Sequence, residues 1–331
     1  MKKNTYQSIA LWIAACFLLT SCTLFPSGNY GSSPKELTVL TIGTADSGGT
    51  MYPVGKAISQ IISNSDNQIK VNLSASNGSA FNVDSLANGE IDLGLVSGDI
   101  AHAAVHGLNE FSENPIEQLR CIAAVYPSIS NWMALSESGL TYVHDLAGTN
   151  IGIGPQNSTT ELSARIALQA MGITDENSSF TTCGIGSGAS EVKLGTIQAI
   201  HGFAGIPISG LTELADSAPC TLLQYTKEEL NTILAENSFY YYDVIPANTY
   251  KGQTEEIQSF GIKCLLCVSA SMDEKTVYQL TKILHENTAE LKQLHPSMSS
   301  MEKEGFMYTD LPIPLHAGAK QYYQEKQLLD K

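Results

Sequence analysis

The chain has 331 residues, with 18 basic against 33 acidic side chains and a formal net charge of −15. That balance excludes nucleic acid as a partner, because neutralising phosphates needs a basic surface. The length suits two domains of ordinary size behind an N-terminal leader.

The leader comes first. Lys2 and Lys3 precede an apolar run from Ile9 to Leu19, which closes in Leu19-Thr20-Ser21-Cys22. A basic start, a short apolar segment and small residues describe a secretory signal peptide, expected over 1–21. A Cys directly after Leu-Thr-Ser resembles the bacterial lipobox, in which that Cys is acylated. Lipidation is therefore expected at Cys22, with residues 22–36, rich in Ser, Gly and Pro, as a flexible tether to a bilayer. Removing Lys2 and Lys3 leaves 16 − 33 = −17 on the mature chain.

From Leu37 onward, short β-like runs alternate with helical ones. Strands are expected at 37–43, 69–74, 91–96 and 121–126, with a first helix over 51–63. After Gly148 the pattern restarts: strand 150–154, helix 159–171, strand 179–183, helix 189–195, strand 198–204. Such alternation predicts an α/β protein with parallel-rich mixed sheets and flanking helices. The C-terminal part reads as mostly helical, with an apolar stripe over Val277, Leu280, Ile283, Leu284, Leu291 and Leu294, capped by Ser271 and broken at Pro296. Cys264 and Cys267 have redox or metal spacing but lie in an apolar run, 262–270. They read as core residues of a buried strand.

One feature recurs in both halves. A strand runs into a Gly/Ser/Thr loop that opens a helix, at 44–50 and again at 155–160. Unpaired N–H groups and the dipole make a helix start an anion cradle, although such residues also serve simply as caps. Enzymatic motifs are weak by comparison. Gly184-Ile-Gly-Ser-Gly-Ala189 imitates a dinucleotide fingerprint but falls mid-chain, and Gly-x-Ser-x-Gly is absent. His102 and His106 stand four apart without an evident third ligand, so they read as a solvated helix face. No catalytic residue, metal or cofactor is expected.

Several segments in order resemble one family. They are Ile42-Gly-Thr44 with 47–55 (SGGTMYPVG), Gly89 to Val96 with Asp99, Ala123 to Pro127, Leu146 to Gly148, and Ser158 to Arg165. Ala204 to Pro207, Ile245-Pro246 with Thr249-Tyr250, and Leu311 to Gly318 with Tyr322-Tyr323 follow. The chain resembles the TAXI group of extracytoplasmic solute receptors of TRAP transporters. The resemblance implies a two-lobed, venus-flytrap periplasmic-binding-protein fold of type II character. Lobe 1 would comprise 37–127 plus about 245–331, and lobe 2 about 128–244. It also implies capture of a glutamate-like acid, amino acid or other small carboxylate, handed to an ion-gradient-driven TRAP permease. By position the pocket would draw on Gly49, Thr50, Tyr52, Asn77, Gly78, Ser79, Asn82, Ser97 and Asp99, with Ser158, Thr159, Thr160 and Gly205 from the second lobe. The chain departs from the family at Met51-Tyr52, Ser97-Gly98 and His201-Gly202.

The chain has only two arginines, Arg120 and Arg165, so a guanidinium clamp on a carboxylate is scarcely available. Main-chain amides and hydroxyls would have to hold the anion, with Asp99 either facing an ammonium group or capping a helix near Ile100. Competing readings are a binding lipoprotein of an ATP-driven importer or sensor system, and a surface adhesin. All place the protein outside the cytoplasm, on a bacterial membrane.

Overall fold

The computed structural model describes residues 37–45, 49–237 and 239–330, so the expected signal peptide, Cys22 and tether lie outside the described residues. The first lobe begins with β1 (Thr38–Gly43), α1 (Met51–Ser65), β2 (Ile69–Ser74), α2 (Ser79–Ala87), β3 (Leu93–Ser97) and α3 (Gly98–His106). β1 lies between β2 and β3 and is parallel to both. α1 buries Val54, Ala57, Ile58, Ile61 and Ile62, a spacing that lays one apolar stripe along a helix. Each of the buried Val and Ile side chains contributes about 1.5–3 kcal/mol by leaving water.

The chain then crosses to the second lobe on one long strand, β4 (Leu119–Leu135). There follow β5 (Asn150–Gly154), α4 (Thr159–Ala170), β6 (Ser179–Thr182), α5 (Ile185–Leu194), β7 (Ala199–Ala204), α6 (Ser209–Ser217), β8 (Cys220–Leu222), α7 (Lys227–Glu236) and β9 (Tyr241–Ile245). It returns on β10 (Ile257–Ser269) and finishes with α8 (Glu274–Glu286), α9 (Thr288–Leu294) and α10 (Ala317–Glu325). The strand order is β2-β1-β3-β10-β4-β7-β5-β6, with β8 beside β4 and β9 beside β10.

β4 and β10 pair antiparallel along their length and carry the sheet through both lobes. Residues 264–267 of β10 pair with β3, while residues 257–261 pair with β9. β4 was expected to end near Tyr126; instead it continues to Leu135, its residues 129–134 pairing with β7. Pro127 lies opposite Lys263, beside a bulge between Cys264 and Leu265, where a missing N–H is tolerated. The return crossing also differs from expectation. Ile245, Tyr250 and Ile257 pack in one second-lobe core and Phe260 and Ile262 in another, so the segment from 245 to about 262 lies with the second lobe. Pairing of β9 with β10 keeps it there.

Four apolar cores result, one on each face of the sheet in each lobe. Cys264 and Cys267 lie in the two first-lobe cores as free thiols, and burial raises both pKa values, that of Cys264 to about 12. The fingerprint-like glycines serve packing. A Cβ on Gly188 would meet Ile200 at 2.5 Å, and one on Gly210 would meet the Gly186 backbone at 3.0 Å, so α5 lies tight against β7 and α6. α8 is capped by Asp273, whose carboxylate accepts the Thr276 N–H at 2.9 Å, rather than by Ser271.

Candidate functional site

Between the lobes, over the crossing strands, lies a cleft of about 490 Å³. Five helices begin at its wall. Gly49, Thr50 and Met51 come from the start of α1, Gly78 and Ser79 from α2, Ser97 from α3, Ser158 to Thr160 from α4, and Ile185 from α5. The first amides of a helix have no intrahelical partner, and each helix adds the positive end of its dipole. Asp84 is the one charged side chain on the wall among the described residues, and it is negative. The cleft therefore offers main-chain donors without a side-chain cation, a setting for an anionic or strongly polar small molecule.

Of the residues expected at a pocket, Gly49, Thr50, Asn77, Gly78, Ser79, Ser97, Ser158, Thr159 and Thr160 line the cleft. Tyr52, Asn82, Asp99 and Gly205 are not among the lining residues. Asn82 is fully buried beneath the floor, its amide donating to the Thr44 carbonyl at 2.7 Å and the Leu95 carbonyl at 2.8 Å, while its Oδ1 accepts from Ser76. It ties two loops together rather than facing a solute. Ser97, not Asp99, holds the N-cap position of α3, without a side-chain capping bond. Asp99 sits in the first turn, accepting the Ile100 N–H at 2.8 Å through Oδ1, while Oδ2 has no partner. Burial raises its pKa to about 6, opposed by Ser97 and the Ile100 amide.

The hydroxyls of Thr50 and Ser158 are already committed. Thr50 Oγ1 donates to the Gly205 carbonyl at 2.6 Å, a hydrogen bond that joins the two lobes. Ser158 Oγ donates to the Pro155 carbonyl at 2.6 Å and accepts the Glu161 N–H at 3.1 Å, so it caps α4. A solute would thus meet these loops chiefly through their amides. Arg165 points away, held by Glu161 at 3.0 Å and Asp175 at 3.1 Å. Arg120 bonds the Glu117 and Leu119 carbonyls.

Gly205 is crowded as well as bonded. A Cβ there would lie 2.7 Å from Tyr126, 2.8 Å from Ser297 and 2.8 Å from Thr50. Only glycine lets the second lobe approach the first this closely.

A buried chain of hydrogen bonds supports the α4 start from below. Trp132 Nε1 donates to Tyr225 OH at 2.7 Å, Tyr225 OH and Ser130 Oγ are 2.8 Å apart, and Ser130 Oγ is 2.9 Å from His201 Nε2. His201 Nδ1 lies 3.1 Å from the Thr160 carbonyl. Burial pushes the His201 pKa down to about 3, so the ring is neutral. A carbonyl can only accept, which places the proton on Nδ1 and makes Nε2 the acceptor from Ser130. Two residues further along β7, Phe203 shares that face and reaches the cleft wall. Tyr126, Ser128 and Phe203 were missed from the sequence; period-two alternation past Pro127 was the available signal for the first two.

These features define a class. The fold is that of the periplasmic binding protein BugD, with a TM-score of 0.55 at 11% identity, over 89% of this chain and 96% of that one. The aliphatic sulphonate binding protein SsuA from Escherichia coli is similar at 0.49, with 12% identity and 89% of both chains covered. A TctC solute binding protein from Polaromonas is similar at 0.46, with 16% identity, over 83% of this chain and 90% of that one. Residues 42–326 match the NMT1-like family, and the chain belongs to it.

Proposed function

We propose that the protein is an extracytoplasmic solute receptor that closes its two lobes over a small carboxylate or amino acid and presents it to a membrane permease. The observation that carries this reading is the interlobe cleft, where five helix starts meet without a side-chain cation on the wall. Charge-assisted hydrogen bonds contribute about 1.5–3 kcal/mol each and a helix terminus about 0.3–2. Four or five such contacts, less the cost of association, support micromolar binding at about −8 kcal/mol. An amino acid would direct its ammonium group to Asp84.

The finer reading is that of a TAXI-type receptor working with a TRAP permease and held to the bilayer through acylated Cys22. It is supported by the ordered sequence resemblance from Leu37 to about Gln327 and by the Leu-Thr-Ser-Cys end of the leader. Native mass spectrometry of gently purified protein, followed by calorimetry with the acid it carries, tests the receptor reading. The expected result is one small acid per chain with saturable heat; a well-folded protein that binds no acid or amino acid would overturn it. Cys22→Ser should release the protein from the membrane fraction, and continued attachment after leader cleavage would refute the anchor.

A further inference from the structure

A second cavity, of about 740 Å³, lies on the opposite side of the crossing strands from the cleft. Pro127 of β4 opens onto it, whereas its neighbours Tyr126 and Ser128 face the cleft, as alternation along a strand requires. One wall is aromatic, formed by Phe239, Tyr240, Tyr241 and Tyr242 around the start of β9, with Phe306 also lining the cavity. His102 of α3, expected on a solvated helix face, lines it too, its ring 6.0 Å from that of Phe239.

The chemistry of its wall marks this cavity as more than a gap. It carries charges of both signs, Lys263 and Lys303 against Asp243 and Asp310. Among the described residues none of these four joins an ion pair. Lys263 Nζ donates to the Thr309 carbonyl at 2.8 Å and lies 5.1 Å from the centre of the Phe306 ring. Asp243 is half-buried, accepting the Val244 N–H at 2.9 Å through Oδ1.

We propose that this cavity is a second small-molecule site, separate from the cleft, for an aromatic zwitterion: a flat ring carrying one ammonium and one carboxylate. The ring would lie against the Phe239–Tyr242 wall, the carboxylate would meet Lys263 and Lys303, and the ammonium Asp243. An anion alone would leave the aspartates unanswered, and a cation alone the lysines. The proposal stands independently of the receptor reading, because none of its residues lines the cleft.

Calorimetric titration with L-tryptophan, tryptamine and indole-3-propionate tests it. L-tryptophan should bind one per chain in this second cavity, and each of the two analogues about tenfold or more weakly, since each lacks one charged partner. Lys263→Met should abolish the preference for L-tryptophan over tryptamine, and Asp243→Asn that over indole-3-propionate. Lys303→Met, at an exposed position, gives the same readout if Lys263→Met fails to fold. Asn157→Ala, in the cleft, should leave L-tryptophan affinity unchanged. The proposal is overturned by absence of saturable binding up to about 5 mM, by unchanged preferences in folded lysine and aspartate variants, or by loss of binding in Asn157→Ala.

Discussion

Gly205→Ala is the sharpest probe of lobe closure. The new methyl would sit 2.7–2.8 Å from carbons of Tyr126, Ser297 and Thr50, where ordinary contact needs about 3.5–4.0 Å. Relieving this requires the lobes to part by about 1 Å, which also stretches the Thr50–Gly205 hydrogen bond, now 2.6 Å. Overpacking costs about 1–3 kcal/mol and the lost bond about 0.5–1.5, together about 2–4 kcal/mol against the closed form alone. Ligand affinity should fall by about 30- to 1000-fold. Stability of each lobe should change little, because Thr50 and Ser297 lie across the cleft from Gly205. Calorimetry with the solute identified by native mass spectrometry reads the affinity, and small-angle X-ray scattering reads the opening. A folded variant that binds with wild-type affinity and scatters identically would refute the reasoning.

The other predictions concern single groups. Asp99→Asn keeps the acceptor for Ile100 and removes a buried carboxylate whose pKa is raised from 3.8 to about 6. For an acid with a raised folded pKa the cost is absent below pH 3.8, grows towards pH 6 and is constant above. The variant should therefore be stabilised by about 1–3 kcal/mol at pH 7.5 and hardly at all at pH 4, by calorimetric unfolding. The same variant should bind the solute within about threefold of wild type, corresponding to less than about 1 kcal/mol. His201 has the opposite sign. Its pKa falls from 6.5 to about 3, so the unfolded chain takes up the proton first and stability declines as pH drops through that window. Urea midpoints of His201→Phe should show a shallower acid decline than those of wild type. Asn82→Ala removes two buried hydrogen bonds, to the Thr44 and Leu95 carbonyls, and should cost about 1–3 kcal/mol, read as a lower urea midpoint at unchanged slope. Ser158→Ala should lose about 1 kcal/mol of stability through the α4 cap, with less than about threefold effect on binding. A tenfold loss of affinity at unchanged stability would show that its hydroxyl meets the solute after all.

Much of the fold was legible because the first and second lobes follow clean local rules. The α1 stripe, the runs at 69–74 and 150–154, and the loop-to-helix junctions at Thr50 and Ser158 each announce themselves within one short window. What escaped is what only tertiary pairing decides. Pro127 and Ser128 read as a strand end, yet β4 runs on to Leu135 because β7, β8 and β10 all pair with it. Tyr250 and Ile257 read as belonging with the C-terminal helices, yet they complete a second-lobe core. At the cleft, loop residues could be placed by position along the chain, but the use of each hydroxyl could not. Thr50 finds a carbonyl 155 residues away, and nothing in the chain near Asp99 reveals that its second oxygen is shut off from the cleft.

The crossing strands also govern the order in which the molecule can be assembled. The second lobe is one unbroken stretch between β4 and β10, so a chain emerging N-terminus first can complete it without waiting. The other lobe cannot finish early: Val277, Leu280, Tyr322 and Tyr323 complete the core that α1 and β1 begin. Its amino-terminal half is left with Ile42, Ile58 and Ile61 uncovered until the last fifty or so residues arrive. Truncation near the carboxyl terminus should therefore disable the lobe at the opposite end of the sequence.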